Sequence, residues 1–185
     1  MDDLHLVCLL LGSNICPEEH LSRAVDWLVE RFPIQRISHV WKTPAIGSEG
    51  PNFLNVALLL LTPGDEKWMK EQVLRPLEAC LGRKRTVDKN APRTIDIDII
   101  TWDGHLVDAN LWRYAHVAVP VAELLPDFVH QEACEDLKTV ASRLSSQVSI
   151  HQRPDVLAKF QGVDWGAKTF LGTTKPGYLA PVIWR

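Results

Sequence analysis

Asp96 and Asp98 stand two residues apart in the run Arg93-Thr94-Ile95-Asp96-Ile97-Asp98-Ile99-Ile100. In an extended strand Ile95, Ile97 and Ile99 point to one face, and Thr94, Asp96 and Asp98 to the other. The roots of such side chains lie about 6.5–7 Å apart. That spacing is too wide for a shared hydrogen bond but well suited to gripping hard cations between two carboxylates. Arg93, three residues before Asp96, supplies complementary positive charge. A strand with one aliphatic face and one acidic, arginine-flanked face reads as a magnesium–phosphate site. The plainer alternative is a half-exposed edge strand kept soluble by its acids. Asp is depleted in strands, however, and two on one face repel unless something positive lies between them. The functional reading is preferred.

Several elements must hold that strand. Leu4 to Leu11 is a near-continuous apolar run, expected of a strand buried on both faces. Gly12-Ser13-Asn14 ends it, and Pro17, Glu18 and Glu19 start a helix, with proline near its first position and acids in its first turn. Leu21, Ala24, Val25, Leu28, Val29 and Phe32 form its apolar stripe, and Pro33 stops it. Ile34 to Trp41 reads as a second strand and Phe53 to Leu61 as a third, joined by a loop dense in turn formers. Thr62-Pro63-Gly64-Asp65 resembles a capping box opening a second helix, which Gly82 closes. A basic loop from Arg83 to Pro92 leads into the aspartate strand.

The order β-α-β-β-α-β predicts an α+β, ferredoxin-like core: an antiparallel sheet with both helices on one face. Gly104 and His105 turn the chain into a short return segment. Val117 to Leu125 is expected to be a strand or short helix, and Asp136 to Leu144 a further helix. The expected division is a domain over residues 1–150 and a C-terminal extension over 151–185. Trp165, Phe170, Tyr178 and Trp184 suggest that this extension packs on something, since disordered segments rarely carry so many aromatics.

Composition narrows the classes. Hydrophobic content of 46% beside 23% charged residues fits a globular protein with a real core. A net charge of -3 offers no basic field for nucleic acid. Apolar runs are of strand length, too short to span a bilayer, and nothing marks a secretory leader. Cys8, Cys16, Cys80 and Cys134 lack a paired spacing and read as reduced thiols in a cytoplasmic protein.

The segment Lys89 to Ile100 resembles the signature of the 6-hydroxymethyl-7,8-dihydropterin pyrophosphokinase family at every position. Leu11-Gly12-Ser13-Asn14 is similar to that family's opening turn. Thr43-Pro44-Ala45-Ile46-Gly47 and Phe53-Leu54-Asn55-Val56-Ala57 resemble its pterin-side segments. Glu78, Gly82, Arg83 and Arg85 fall where its nucleotide-side residues lie, and Val119 to Leu124 resembles its later Pro-Leu-x-Glu segment. The resemblance covers roughly Leu6 to Pro126 and shares the predicted core order.

The resemblance implies transfer of pyrophosphate from ATP to the pterin hydroxymethyl group, releasing AMP, in folate biosynthesis. Asp96 and Asp98 would hold two Mg²⁺ ions that bridge phosphate oxygens. Arg83 and Arg93 would clamp the transferred phosphates, with Arg85 as a helper. Glu78, Arg113 and His116 would complete the ATP site. Thr43, Ala45, Phe53 and Asn55 would take the pterin, Phe53 by its flat face and Asn55 by an amide that both donates and accepts. Asn55 in an apolar strand is costly without a partner, which favours ligand contact. Ser13 and Asn14 are read as turn residues only. The expected partners are small molecules, with no nucleic acid and no membrane, in a monomer whose C-terminal extension could dock a pathway enzyme.

The chain also departs from the family pattern. A bulky group common near Asn90 is absent, and Leu111 to His116 replaces a Leu-x-x-Pro-His segment in a shortened stretch. Tyr114, His116 and Trp112 compete as the second aromatic against the pterin. An alternative expectation follows: a divergent relative with little or no transfer activity, acting as a ligand- or partner-binding module. A ferredoxin-like RNA-binding sheet is disfavoured by the lack of alternating exposed aromatics and basic residues.

Overall fold

The longest apolar runs became the central pair of a sheet. In the computed structural model, which describes residues 4–45, 50–84, 91–163 and 165, β1 (His5–Ser13) pairs antiparallel with β4 (Phe53–Thr62) from His5↔Thr62 to Ser13↔Leu54. All of β1 from Val7 onward is buried, as a strand covered on both faces requires. β5 (Asp96–Trp102) takes the other side of β1, and β6 (His105–Leu106) returns beside β5 through the Asp103-Gly104 turn. On the far side of β4 lie β2 (Ile34–Ile37) and β3 (Trp41–Thr43), and β7 (His151–Gln152) pairs with β3. The main strand order is β6-β5-β1-β4-β3-β7, with β2 also on β4, and every pairing is antiparallel.

Helix α1 (Pro17–Arg31) packs Leu21, Ala24, Val25 and Leu28 on one face of the sheet. Beside it runs a rod made of α2 (Glu66–Trp68), a π-helical stretch (Met69–Leu74) and α3 (Arg75–Cys80), which buries Met69, Val73 and Leu77. Ile95, Ile97 and Ile99 point into this core, as their spacing predicts. The opposite face carries Cys8, Leu10 and Ile100, covered by α4 (Ala115–Leu124) and α5 (Leu137–Ser145). The architecture is therefore α+β with the expected core order, and a second helical layer covers the face that a bare ferredoxin-like core leaves open.

Three local expectations changed. The rod begins with Asp65 as its cap, whose side chain accepts from the Trp68 amide at 2.7 Å, rather than at Thr62. Its middle is π-helical because Pro76 lacks an N–H and crowds the preceding turn, which widening relieves. The second strand is broken after Ile37: the Ser38 hydroxyl accepts from the Ala57 amide at 2.9 Å and stands in for a backbone partner. Val117 to Leu124 is helical despite Pro120. Gly82 does end the rod, at φ 81, a left-handed conformation that glycine adopts without a Cβ penalty.

Within the stretch expected to be an extension, Val156, Leu157 and Trp165 join the core beneath α1. The aromatics Phe170, Tyr178 and Trp184 fall outside the described residues. The four cysteines are free thiols, and burial pushes the Cys8 thiol up to about 12. Among the described residues no helix is long and apolar enough to cross a membrane.

Candidate active site

One row of cross-strand neighbours links the predicted site residues. Trp41 pairs with Asn55, Asn55 with Gly12, and Gly12 with Asp96, across β3, β4, β1 and β5. The next rung places Leu10 opposite Asp98. A cavity of about 310 Å³ opens along these rungs. Of the residues expected from sequence, Thr43, Ala45, Phe53, Asn55, Arg93, Asp96, Asp98 and His116 line it.

At the β3–β4 end the polar groups are buried and paired. The Asn55 amide nitrogen donates to Thr43 Oγ1 at 3.1 Å, and both residues are under 5% exposed. This pairing answers much of the cost of an amide in an apolar strand. Gly12 is part of the same wall. A Cβ there would sit 3.0 Å from Asn55 Oδ1 and 3.9 Å from the Phe53 ring, so a side chain would push the amide aside.

At the β5 end the loop entering the strand is anchored by the turn after β1. The Asn14 amide donates to the Arg93 carbonyl at 3.1 Å, and the Arg93 amide donates to Asn14 Oδ1 at 2.7 Å. The Ser13 hydroxyl donates to the Thr94 carbonyl at 2.5 Å. Ser13, read from sequence as a turn residue, is the last residue of β1, and it and Asn14 just after it hold the loop that enters β5.

Asp96 is held by two arginines. Arg93 Nη1 pairs with its Oδ2, and Arg83 Nη2 with its Oδ1 at 2.9 Å. The Arg93 guanidinium also lies 5.9 Å over the Phe53 ring, joining the two ends of the cavity. Arg83 stands behind the strand, where Nη1 donates to the Ile95 carbonyl at 2.7 Å. Glu78 is buried there too, and its Oε1 accepts from the Ile97 amide at 2.9 Å. Arg83 and Glu78 are therefore not among the lining residues, and their visible work is to fix β5 to α3. Arg113 is exposed just after a 3-10 turn (Ala109–Trp112) and also lies off the lining. Arg85, Lys89, Asn90, Ile46 and Gly47 lie outside the described residues.

Asp98 is open to solvent through the cavity mouth although protein surrounds most of it. Its pKa is pushed up to about 7, first by loss of hydration and then by the negative charges of Asp96, Asp108 and Glu78, with Arg83 opposing. Burial holds the His116 imidazole below its usual pKa, with Asp108 opposing, which favours its neutral form. Among the described residues no group of three or more His, Cys, Asp or Glu side chains could hold a metal by itself. Two carboxylates on a charge-crowded wall nevertheless fit Mg²⁺, which takes one or two carboxylates and fills its shell with water and phosphate oxygens.

The far wall came less readily from sequence. Tyr114 and His116 both line the cavity, stacked at 5.5 Å and 27°. Trp112 instead stacks on Phe128 at 5.7 Å and 8°, away from the lining. Asp108 and Asn110 also face the cavity, and Asp108 caps the 3-10 turn by accepting from the Asn110 amide at 2.9 Å. Their Asp-x-Asn spacing is a local turn signal with no mark of a site. α4, which carries His116, is tied to the opposite wall at its other end. There Glu123 accepts from Trp41 Nε1 at 2.7 Å and from the His39 amide at 2.8 Å.

Comparison with known proteins adds to this geometry. The family model described as 7,8-dihydro-6-hydroxymethylpterin-pyrophosphokinase matches residues 8–126. The chain is 31% identical over 136 residues to the 2-amino-4-hydroxy-6-hydroxymethyldihydropteridine pyrophosphokinase of Aquifex aeolicus, an alignment covering 67% of this chain and 82% of that protein. It is 33% identical over 131 residues to the protein of the same name from Methylorubrum extorquens, covering 64% and 82%. Wild-type Plasmodium falciparum HPPK-DHPS, solved with pteroate, shares the fold at a TM-score of 0.60 and 11% identity. That alignment covers 80% of this chain and 43% of the other, so the chain spans less than half of that protein.

Proposed function

The chain belongs to the 7,8-dihydro-6-hydroxymethylpterin-pyrophosphokinase family, and from that premise we propose that it transfers pyrophosphate from ATP to 6-hydroxymethyl-7,8-dihydropterin in folate biosynthesis. The observation that carries the reading is the single cavity bounded by a neutral hydrogen-bonding wall at one end and by Asp96, Asp98 and Arg93 at the other. A pyrophosphoryl transfer from ATP to an alcohol needs both: a shape that orients the alcohol, and charge that receives a polyphosphate.

In this reading Thr43, Ala45 and Asn55 take the amide-like edge of the pterin. Phe53 covers one face of the ring, and Tyr114 or His116 the other. The pterin hydroxyl oxygen attacks the β-phosphorus of ATP, the bond from that phosphorus to the α,β-bridging oxygen breaks so that AMP leaves with the oxygen, and the hydroxyl proton is released to solvent. Asp96 and Asp98 would hold two Mg²⁺ ions, which when bound neutralise phosphate charge and favour in-line displacement. Arg93 turns from Asp96 toward phosphate oxygens as they arrive, and Arg83 keeps Asp96 oriented from behind. Arg85, Arg113 and His116 are assigned to the nucleotide side, His116 as a hydrogen-bonding group, and Glu78 supports that side from behind by holding the Ile97 amide of β5. The enzyme is read as a cytoplasmic monomer acting on small molecules.

One observation favours a second reading, a binding module with little transfer: both Asp96 oxygens already meet arginines. Two measurements separate the readings: AMP release with and without Mg²⁺ and the hydroxymethyl pterin, and calorimetric binding of pterin and an ATP analogue. AMP that appears only when both are present supports the enzyme. Binding of pterin and ATP analogue in calorimetry without AMP release supports the module, and ATP hydrolysis indifferent to pterin sinks the proposal.

A further inference from the structure

The chain beyond the family's matched region returns to the strand that carries the pterin-side wall. β7 pairs with β3 through His151↔Lys42 and Gln152↔Trp41. The Arg153 amide donates to the Val40 carbonyl at 2.8 Å, and the Gln161 side-chain amide donates to the Ser38 carbonyl at 3.3 Å. The segment is fastened to α1 as well. Arg153 reaches Glu18 at 3.3 Å and Asp155 at 2.7 Å, and Lys159 pairs with Asp26 at 2.6 Å. Val156, Leu157 and Trp165 anchor it in the first core.

β3 is three residues long and pairs with β4 on one side only. Without β7 it would be a short edge strand with unpaired backbone groups, the kind of element that opens readily. Thr43, the partner of Asn55, is its last residue, and Ala45 lies two residues on.

We propose that residues 151–163, with Trp165, form a strap that holds β3 in register and so positions Thr43 and Ala45 for the pterin, with Arg153 as its main positioning residue. The inference rests on the reading of Thr43, Ala45, Phe53 and Asn55 as the pterin side. The strap acts before the ligand arrives: a wall already ordered costs the ligand less binding free energy than one it must order itself. It also gives the start of the C-terminal extension a duty inside the domain, in place of partner docking.

Arg153→Pro removes both the amide donor to Val40 and the guanidinium, while Arg153→Ala removes the guanidinium alone. In the full chain, Arg153→Pro should raise KM for the pterin about tenfold and Arg153→Ala about threefold, as expected for losing one or part of one well-made contact. KM for ATP and kcat should stay within about twofold, and amide exchange at Lys42 and Thr43 should quicken. A folded Arg153→Pro protein with an unchanged pterin KM, or with both KM values rising together, overturns the proposal. Should Arg153→Pro fail to fold, Arg153→Ala and Gln161→Ala must show the same split. If the unaltered protein transfers nothing, the pterin reading fails by itself. Amide exchange then still judges the strap, and unchanged protection at Lys42 and Thr43 refutes it.

Discussion

The β3–β4 end of the cavity and its β5 end meet at Gly12, yet they hold their polar groups in opposite ways. Thr43 and Asn55 are neutral, buried and bonded to each other. Asp96 is held between two arginines, and Asp98 faces the charges of Asp96, Asp108 and Glu78. The first end is finished without a ligand and can select a flat, hydrogen-bonding ring by shape. The second is electrostatically unfinished, and in the proposed reading a cation and a polyphosphate complete it. Selectivity is thus built into covalently adjacent strands, and reactivity is left to what binds.

The largest effect should come from the unfinished end. Asp98→Ala and Asp96→Ala should each lower transfer by at least about 10³-fold, the scale on which preorganised charge contributes to catalysis. Their effects on stability should differ. Asp96→Ala strands the mostly buried Arg83 and should cost roughly 1–3 kcal/mol in denaturant unfolding, whereas Asp98→Ala should cost nothing. Equal destabilisation by both would erase the distinction between a clamped and a crowded carboxylate. Arg93→Ala comes next, with kcat falling about 10²-fold and KM for ATP changing less, because its contact strengthens as charge develops. Parallel losses in both would assign Arg93 to plain ground-state binding.

Changes at the finished end should appear in pterin binding alone. Asn55→Ala should raise pterin KM by about 10- to 30-fold, the cost of a missing partner in a buried hydrogen-bonded site. Gly12→Ala should act in the same direction by displacing Asn55 Oδ1. A drop in kcat with pterin KM untouched in either variant would mean that this wall does not contact the substrate.

How much of this was readable in the residues follows the range of the interactions. β1, α1 and the two faces of β5 are written in local periodicity, and they formed where expected. The π-helical stretch has a local cause in Pro76, but one read past within an apolar stripe that continues on both sides. The break between β2 and β3 depends on Ser38 meeting Ala57, nineteen residues away, which no local pattern reports. Glu78 and Arg83 carry the right chemistry for a phosphate site, yet β5 draws them to its back through the Ile95 carbonyl and the Ile97 amide. Asp108 and Asn110 look like an ordinary cap, and only the closure of α4 over the sheet brings them to the cavity.

The smallest expected effect concerns stability, and it tests the electrostatic half of the comparison without any turnover. In the folded, metal-free protein Asp98 keeps its proton up to about pH 7, whereas in the unfolded chain it loses it near the ordinary value of 3.8. Between those limits the folded state binds more protons than the unfolded state, so this group makes stability fall as pH rises. Its cost is absent below about pH 4 and complete above about pH 7. Asp98→Asn removes the charge and keeps the shape. In EDTA at pH 8 it should therefore stabilise the protein by roughly 1 kcal/mol once solvent screening is allowed for, a Tm gain of about 2–4 °C. The gain should vanish near pH 4, where the native carboxyl is protonated in both states. Added Mg²⁺ should narrow it at pH 8 by stabilising the unaltered protein alone, through binding that favours the folded state. A Tm gain equal at both pH values would trace the effect to packing, and none at pH 8 would mean that Asp98 is not crowded at all.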